Sequence, residues 1–372
     1  MTQGGSDRKF KVCLVSLWLA RGGAERSCAM LSQMLTSHGH DVHIVVLNDA
    51  VEYPYEGTLF NLGKLKISND TLRKRLKRFR LLRKYIRNQK FDVIIDHRPK
   101  NHYFREVFYR RYIYKGIPRI YVVHSSNKAE YNTSKPDKFA QINNGNIATV
   151  AVSDYIKNEI LVPQGVVNAV TIHNAFNPDW KNNDADLPAL LRDKSYLLSY
   201  GRLDDSVKDF SFLIHAFDAS QIWKQGHYLV IMGSGPDEKK LKALANSVAA
   251  SHTILFVPFI SEPFAVIRAA RFVTLTSRYE GFPMVLVESL SIGTPVVSLD
   301  IVSGPSEMIK HRENGLLVSE RSIPLFAESL REMSENDPLY NQCKQQAEAS
   351  VAHFSMAEIS KKWNNLLQDG LS

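Results

Sequence analysis

Arg278-Tyr279-Glu280-Gly281-Phe282-Pro283, running on to Glu288, is the stretch of this sequence whose residue types and spacing point most directly to chemistry. Pro283 suits the first position of a helix, where its missing N–H costs nothing. Glu280, Gly281 and Phe282 then form the loop at the helix N-terminus, with their amides near any bound anion. Glu288 falls about a turn and a half into the helix. A carboxylate there accepts hydrogen bonds from two vicinal hydroxyls, as on a ribose or a hexose. Glutamate is seldom buried unpaired, so two carboxylates flanking an anion-binding helix end are hard to explain by packing alone.

Cations stand upstream. Tyr200-Gly201-Arg202 ends an apolar run, and Lys208 follows six residues later, at the expected start of the next helix. Arginine binds two phosphate oxygens at once and lysine adds a point charge, so such a pair stabilises a diphosphate leaving group without a metal. The competing reading is two solvated surface cations. Gly22-Gly23 lies between a strand pattern and a helix pattern, where paired glycines let the backbone approach a ligand; a plain turn would look the same. Gly233-Ser234-Gly235 also follows a strand, but Glu238 stands where a dinucleotide fingerprint needs its third glycine. There Gly235 serves a tight turn as well as it serves a ligand. No P-loop occurs.

The elements that must position these residues alternate along the chain. Strand patterns at Lys11–Leu17, Asp41–Leu47, Asp92–Asp96, Ile120–His124 and Thr149–Val152 are separated by helical ones, including Ala24–His38 closed by Gly39. A segment rich in Asn, Asp and Pro, Asn174 to Pro188, interrupts the series. It resumes with strands at Tyr196–Tyr200, Tyr228–Met232, Thr253–Val257, Val273–Thr276 and Val296–Leu299, and from Ile323 onward the pattern is helical. Strand–helix alternation at this spacing predicts an α/β chain of two doubly wound, mostly parallel sheets joined by a linker.

Of 372 residues, 44% are apolar and 23% charged, which excludes general disorder and makes two domains the first expectation. Three scattered cysteines suit buried thiols in a reducing compartment rather than a disulfide framework or a metal site. The apolar run Val12 to Ala20 lacks a cleavage signal after it, and no stretch reaches the length of a membrane span, so a cytoplasmic protein is expected.

The net charge of +9 is a local feature. Thr71 to Lys90 holds ten basic and no acidic residues, and Arg98 to Lys115 six basic against one acidic. Together they exceed the net charge of the chain, so the remainder is mildly acidic. Leu72, Leu76, Phe79, Leu82 and Ile86 share one side of a helix, with Arg75 and Arg83 intruding on it. Tyr103, Phe104, Phe108, Tyr109, Tyr112 and Tyr114 interleave the second basic stretch. Three uses compete: a solvated crossover helix, an anionic membrane surface, or nucleic acid.

The motifs resemble those of retaining glycosyltransferases of family 4, of the bacterial envelope and capsule polysaccharide type. The matching pieces are GGAE at Gly22–Glu25, AVSDYIKNE at Ala151–Glu159, HNAFNP at His173–Pro178 and YGRL at Tyr200–Leu203 with Lys208. GSGP at Gly233–Pro236, EGFPMVLVESLSIGTPVV at Glu280–Val297, SGPSEMI at Ser303–Ile309 and NGLLV at Asn314–Val318 complete the set. The resemblance implies the GT-B fold, two Rossmann-like domains facing a cleft. An acceptor-side domain would span 1–175 and a nucleotide-sugar domain 176–355, with a helical tail, 356–372, packing back on the first.

By the same resemblance, Arg202 and Lys208 would bind the donor diphosphate and Glu288 the ribose hydroxyls. Glu280, with the amides of Gly281 and Phe282 beside Pro283, would hold the transferred sugar. Gly22 and Gly23 would sit at the phosphate and the acceptor, and His124 beside the donor sugar. The Arg202–Lys208 gap is one residue longer than the family's usual one, and Asp209 stands where glycine is common. Asp184-Ala185-Asp186 has the form of a metal-binding DxD, but it lies in the linker, and the family needs no metal or other cofactor. The implied reaction moves a hexose or N-acetylhexosamine, with retention, from a nucleotide diphosphate sugar, UDP-linked by family frequency, to a glycan or lipid-linked acceptor. The family's lipid-linked acceptors favour the membrane over nucleic acid for residues 71–115, through Arg73, Lys74, Lys77, Arg78, Arg80, Arg83 and Lys84, with peripheral attachment on the cytoplasmic face. The alternatives are a sugar-nucleotide epimerase of the same architecture and a basic nucleic-acid-binding protein.

Overall fold

Short aliphatic runs build two all-parallel sheets in the computed structural model, which describes residues 8–20, 22–66, 71–131, 133, 135–182 and 185–371, the side chains of Leu72, Glu130 and Tyr131 excepted. The chain divides into two compact units, Met1–Ala175 with Met356–Ser372, and Phe176–Ser355. Asp184, in the DxD of the linker, lies outside the described residues.

In the first unit the strands are β1 (Lys11–Ser16), β2 (Asp41–Val46), β3 (Thr58–Asn61), β4 (Val93–Asp96), β5 (Arg119–Val123), β6 (Ala148–Ala151) and β7 (Ala169–Thr171). Their order is β3-β2-β1-β4-β5-β6-β7. Helices cover both faces of such a sheet, so its central strands read as continuous rather than alternating apolar runs. Thus Val12, Leu14 and Val15 of β1 are all fully buried, and Val12 pairs with Val42 on one side and Val93 on the other. Gly39, with φ +81°, ends the helix Gly23–Ser37 in the left-handed turn that glycine enters without steric cost. The helix Met356–Leu371 belongs to this unit, burying Ile359, Trp363 and Leu367, with Asn364 Oδ1 3.1 Å from His40 Nε2.

The second unit has β8 (Ser195–Tyr200), β9 (His227–Met232), β10 (Ile254–Val257), β11 (Phe272–Leu275), β12 (Val296–Leu299) and β13 (Gly315–Val318), ordered β10-β9-β8-β11-β12-β13. One core joins the helix Phe210–Ser220 to Ile323–Glu335 through Phe212 and Phe326, whose rings meet edge to face at 5.6 Å. Each unit therefore winds outward from a central strand pair, β1/β4 and β8/β11. Loops after those strands diverge there and leave a crevice at the carboxyl edge, where ligands of such sheets bind. The sequence patterns place the central strands within a residue or so. They omit β3, β7 and β13, all at the sheet edges; β3 and β7 are largely half-buried and lack the continuous apolar run of the central strands.

The helix Leu72–Gln89 departs from the expected stripe. Leu82 and Ile86 are buried in the first unit's core, with Phe79 and Tyr85 packed against it, but Leu76 is 48% exposed and Arg78 is buried. The core reaches only the C-terminal part of the helix, so the register of its first turns is not set by apolar contact. Among the described residues, no helix is long and apolar enough to cross a membrane.

Candidate active site

In the second unit three loops meet at the carboxyl edge of adjacent strands. After β8, Gly201 has φ +145°, and Lys208 packs its stem against it: a Cβ on Gly201 would stand 3.6 Å from Lys208 Cε. The extra residue between Arg202 and Lys208 is taken up in a single helical turn, Asp205–Lys208, so Lys208 closes that turn rather than starting the next helix. Lys208 Nζ reaches Glu280 Oε1 at 2.5 Å, and Ser277 Oγ donates to the same oxygen at 2.7 Å. Lys208 and Glu280 keep 20% and 14% of their side chains exposed, which leaves both reachable from solvent. Arg202 is 68% exposed, and its guanidinium stays 4.0 Å from Asp204.

Pro283 precedes the helix Met284–Ser291 instead of opening it, an N-cap position that equally needs no N–H. Ser303 Oγ donates to the Gly281 carbonyl at 2.6 Å, and Gly304, φ +103°, lies so close that a Cβ would stand 2.2 Å from Pro283 Cδ. The loop Ser303-Gly304 thus braces the Glu280–Pro283 turn. Glu288 is buried, and its Oε2 accepts a 2.6 Å hydrogen bond from the phenolic Oη–H of Tyr200. Tyr200, which ends β8, is a member of the site that residue spacing did not single out, because only the fold brings it to Glu288. Gly233 and Gly235 have a packing reason: Cβ atoms there would stand 1.9 Å from the Gly201 carbonyl oxygen and 2.4 Å from that of Leu203.

In the first unit Gly22 caps the helix Gly23–Ser37 in extended conformation, and the Glu25 carboxylate folds back over it. Burial pushes the Glu25 carboxyl up to about 7. His124 directly follows β5; its Nε2 lies 2.9 Å from Nδ1 of His97, which directly follows β4, and the rings stack at 5.1 Å. His97 was not among the expected site residues. Burial pushes His97 down to about 3 and His124 well below the usual histidine range, with Lys100 adding repulsion, so both rings are neutral at physiological pH.

Beneath this pair the second basic stretch is partly structural. Arg98 and Lys100 do not belong to a basic surface: each is only 2% exposed, and they pair with Asp96 and Glu106, both fully buried. Arg98 binds Asp96 through two nitrogens, at 3.0 and 2.6 Å. Burial alone would raise the Asp96 carboxyl, but Arg98 and Lys100 hold it well below the usual carboxylate range. Burial pulls Lys100 down to about 8 despite Asp96. Tyr109 and Tyr114 are buried in the core as well, which removes them as stacking platforms. Of the seven basic residues expected at a membrane, Arg78 is buried and the half-buried Arg83 lies over the Tyr112 ring at 4.0 Å. Arg73, Lys77, Arg80 and Lys84 are exposed, Lys74 half-buried.

The site thus pairs cations and carboxylates around glycine loops at the carboxyl edge of a doubly wound parallel sheet, where ligands of such folds bind. Residues 21–180 match glycosyltransferase family 4, and residues 183–350 match glycosyl transferases group 1. The chain belongs to glycosyltransferase family 4 and is a glycosyltransferase. It is 26% identical over 351 residues to the amylovoran biosynthesis glycosyltransferase AmsD of Erwinia amylovora, covering 93% of this chain and 96% of that protein. It is 28% identical over 364 residues to a Campylobacter jejuni N-acetylgalactosamine-N,N'-diacetylbacillosaminyl-diphospho-undecaprenol 4-alpha-N-acetylgalactosaminyltransferase, covering 92% and 95%. Anabaena HepE, solved in complex with UDP and glucose, superposes with a TM-score of 0.78 at 16% identity, over 96% of this chain and 99% of that one. The fold is GT-B.

Proposed function

We propose that this glycosyltransferase moves a hexose or N-acetylhexosamine from a UDP sugar to a glycan or lipid-linked acceptor of an envelope polysaccharide or glycoconjugate, with retention of configuration. The observation that carries the reading is the Lys208–Glu280 pair, held partly exposed beside the loop that opens the helix Met284–Ser291. In this reading Lys208 turns from Glu280 to the donor diphosphate, and Arg202 joins it on the other oxygens. Glu280, released from Lys208, accepts hydroxyls of the transferred sugar beside the Gly281 and Phe282 amides. Glu288, oriented by Tyr200, takes the ribose hydroxyls. His124 contacts the sugar as a neutral ring, and Gly22-Gly23 give the acceptor close access to the backbone.

Among the described residues we assign no side chain as a nucleophile, so the proposed step is front-face transfer. The glycosidic bond to the diphosphate breaks as the acceptor oxygen bonds the same face of the anomeric carbon, and the leaving diphosphate takes the acceptor proton. Arg202 and Lys208 stabilise the charge that develops on it, the work a metal does in other transferases, so turnover is expected to persist in chelator. The AmsD and Campylobacter likenesses support an envelope glycan acceptor, and UDP in the HepE complex supports the donor base.

Purified protein given UDP-glucose, UDP-galactose and their N-acetylated counterparts should release UDP from at least one, and Lys208→Ala or Glu280→Ala should abolish it. Unchanged turnover in both variants would refute the site, and an inverted anomer in the product NMR spectrum would refute the front-face step. Attachment to anionic membrane is supported by Arg73, Lys77, Arg80 and Lys84 with the exposed Leu76 and Leu81, since each basic residue adds ~1 kcal/mol near such a surface. Sedimentation with phosphatidylglycerol vesicles at rising salt tests it.

A further inference from the structure

Lys208 and Glu280 belong to different loops, and a third element ties those loops together. Asp209, next to Lys208, has φ +51° and ψ +47°, the left-handed region that glycine enters freely and aspartate at a modest cost. Its carboxylate is 6% exposed and accepts from Arg321 at 2.7 Å and from Arg278 at 3.0 Å. Arg321, from the loop between β13 and the helix Ile323–Glu335, also donates to the Thr276 carbonyl at 3.0 Å and the Ser277 carbonyl at 2.6 Å. Thr276 Oγ1 lies 3.2 Å from the carbonyl oxygens of both Lys208 and Asp209, and the Arg278 amide donates to the Val207 carbonyl at 2.8 Å.

The loop that carries Lys208 and the loop that carries Ser277 and Glu280 are thereby bound to each other and to Arg321. A turn at this position needs only a glycine to satisfy its backbone. An aspartate there, with its carboxylate buried between two arginines, has a use for that carboxylate. A general contribution to stability is the plainer explanation, but every partner of Asp209 and Arg321 named above lies within two residues of Lys208 or in the segment Thr276–Arg278 that leads to Glu280.

We propose that Asp209 and Arg321 are positioning residues: a charged clamp that fixes Lys208 and the Glu280 loop at the separation the donor diphosphate and sugar require. The proposal rests on the reading that Lys208 and Glu280 handle the donor. The clamp acts before any ligand arrives, by restricting the two loops, so its loss is visible without turnover. It also separates stability from activity, because glycine relieves the backbone at position 209 while removing the carboxylate.

The test uses the full chain with Asp209→Gly, Asp209→Asn and Lys208→Ala. Hydrogen exchange of the ligand-free protein is read for peptides covering 276–283, with β8 and β9 as internal references, and UDP release is read with the sugar panel above. Asp209→Gly should speed exchange across 276–283 by about tenfold with β8 and β9 unmoved. Its thermal midpoint should stay level or rise while UDP release falls by roughly 10- to 100-fold, the cost of a displaced catalytic group. Asp209→Asn, which tolerates the same φ and keeps an acceptor for Arg321, should recover part of both losses. Unchanged exchange in 276–283 together with full turnover in Asp209→Gly overturns the clamp and leaves the site reading intact. Full turnover in Lys208→Ala overturns the site reading, and the exchange data then decide the clamp alone.

Discussion

At the carboxyl edge of its sheet the second unit leaves Lys208 and Glu280 20% and 14% exposed, and Arg202 more than half exposed. At the same edge of the first unit, Arg98, Lys100, Asp96 and Glu106 are at most 2% exposed and pair with one another, Glu106 also meeting Arg105. The strand orders correspond, with the same central switch in each sheet, yet charge is used oppositely. Buried charges must find partners within the protein, because the low-dielectric interior does not replace their hydration. Charges at a wet edge can exchange a protein partner for a ligand. A Lys–Glu pair at the edge is therefore compatible with binding, whereas Arg98 and Lys100 are committed to the fold.

The sharpest way to break this contrast is to remove one partner from each side. Asp96→Ala leaves Arg98 and Lys100 buried beside a single remaining carboxylate, and should cost about 3–5 kcal/mol in urea unfolding or prevent the first unit from folding. A loss under 1 kcal/mol would mean that these charges are not structural. In the second unit Tyr200→Phe removes one hydrogen bond to a carboxylate, an interaction of about 1.5–3 kcal/mol. UDP binding by calorimetry should weaken by roughly tenfold, and the melting temperature should fall by a few degrees; undiminished binding would detach Tyr200 and Glu288 from the ribose.

A smaller effect concerns pH. The folded-state pKa values of His97 and His124 are depressed, so below about 6.5 the unfolded chain binds more protons and the histidines cost stability as pH falls. Glu25 is shifted up, to about 7, so it costs stability as pH rises from 4.5 towards 7. The two slopes oppose each other in wild type. Glu25→Gln should expose the histidine slope, a loss of about 2 kcal/mol for each ring between pH 7.5 and pH 5 in urea unfolding. A flat profile in that variant would argue against two neutral histidines. Smallest of all, replacing Arg80 and Lys84 by serine should change stability by no more than about 0.5 kcal/mol, as exposed sites do. Vesicle sedimentation at low salt should fall nonetheless, and equal sedimentation would remove these two from any membrane contact.

Much of the candidate site in the second unit was legible in the sequence. The loop Glu280–Pro283 and Glu288 share one local stretch, and glycine, proline and helix period place them without reference to distant elements. Arg202 and Lys208 were legible as a pair, but not the single turn that absorbs the extra residue between them. Asp209 was legible only as a departure from glycine and Tyr200 only as the end of a strand, since the partners that give them roles lie 112 and 88 residues away. The basic segments misled for a related reason. Sequence counts charge along the chain, whereas burial of Arg78, Arg98 and Lys100 depends on which core each reaches.

What the amino-acid order determined alone was therefore the alternation of strands and helices, the glycine turns and the carboxylate spacing. These depend on backbone geometry and side-chain period over a few residues. The tertiary structure decided which charges meet. It took the fold to put Glu106 against Arg98, His97 against His124, and Arg321 between the loops of Lys208 and Glu280, because ion pairs and buried hydrogen bonds are set by proximity in space and by the solvent that folding excludes.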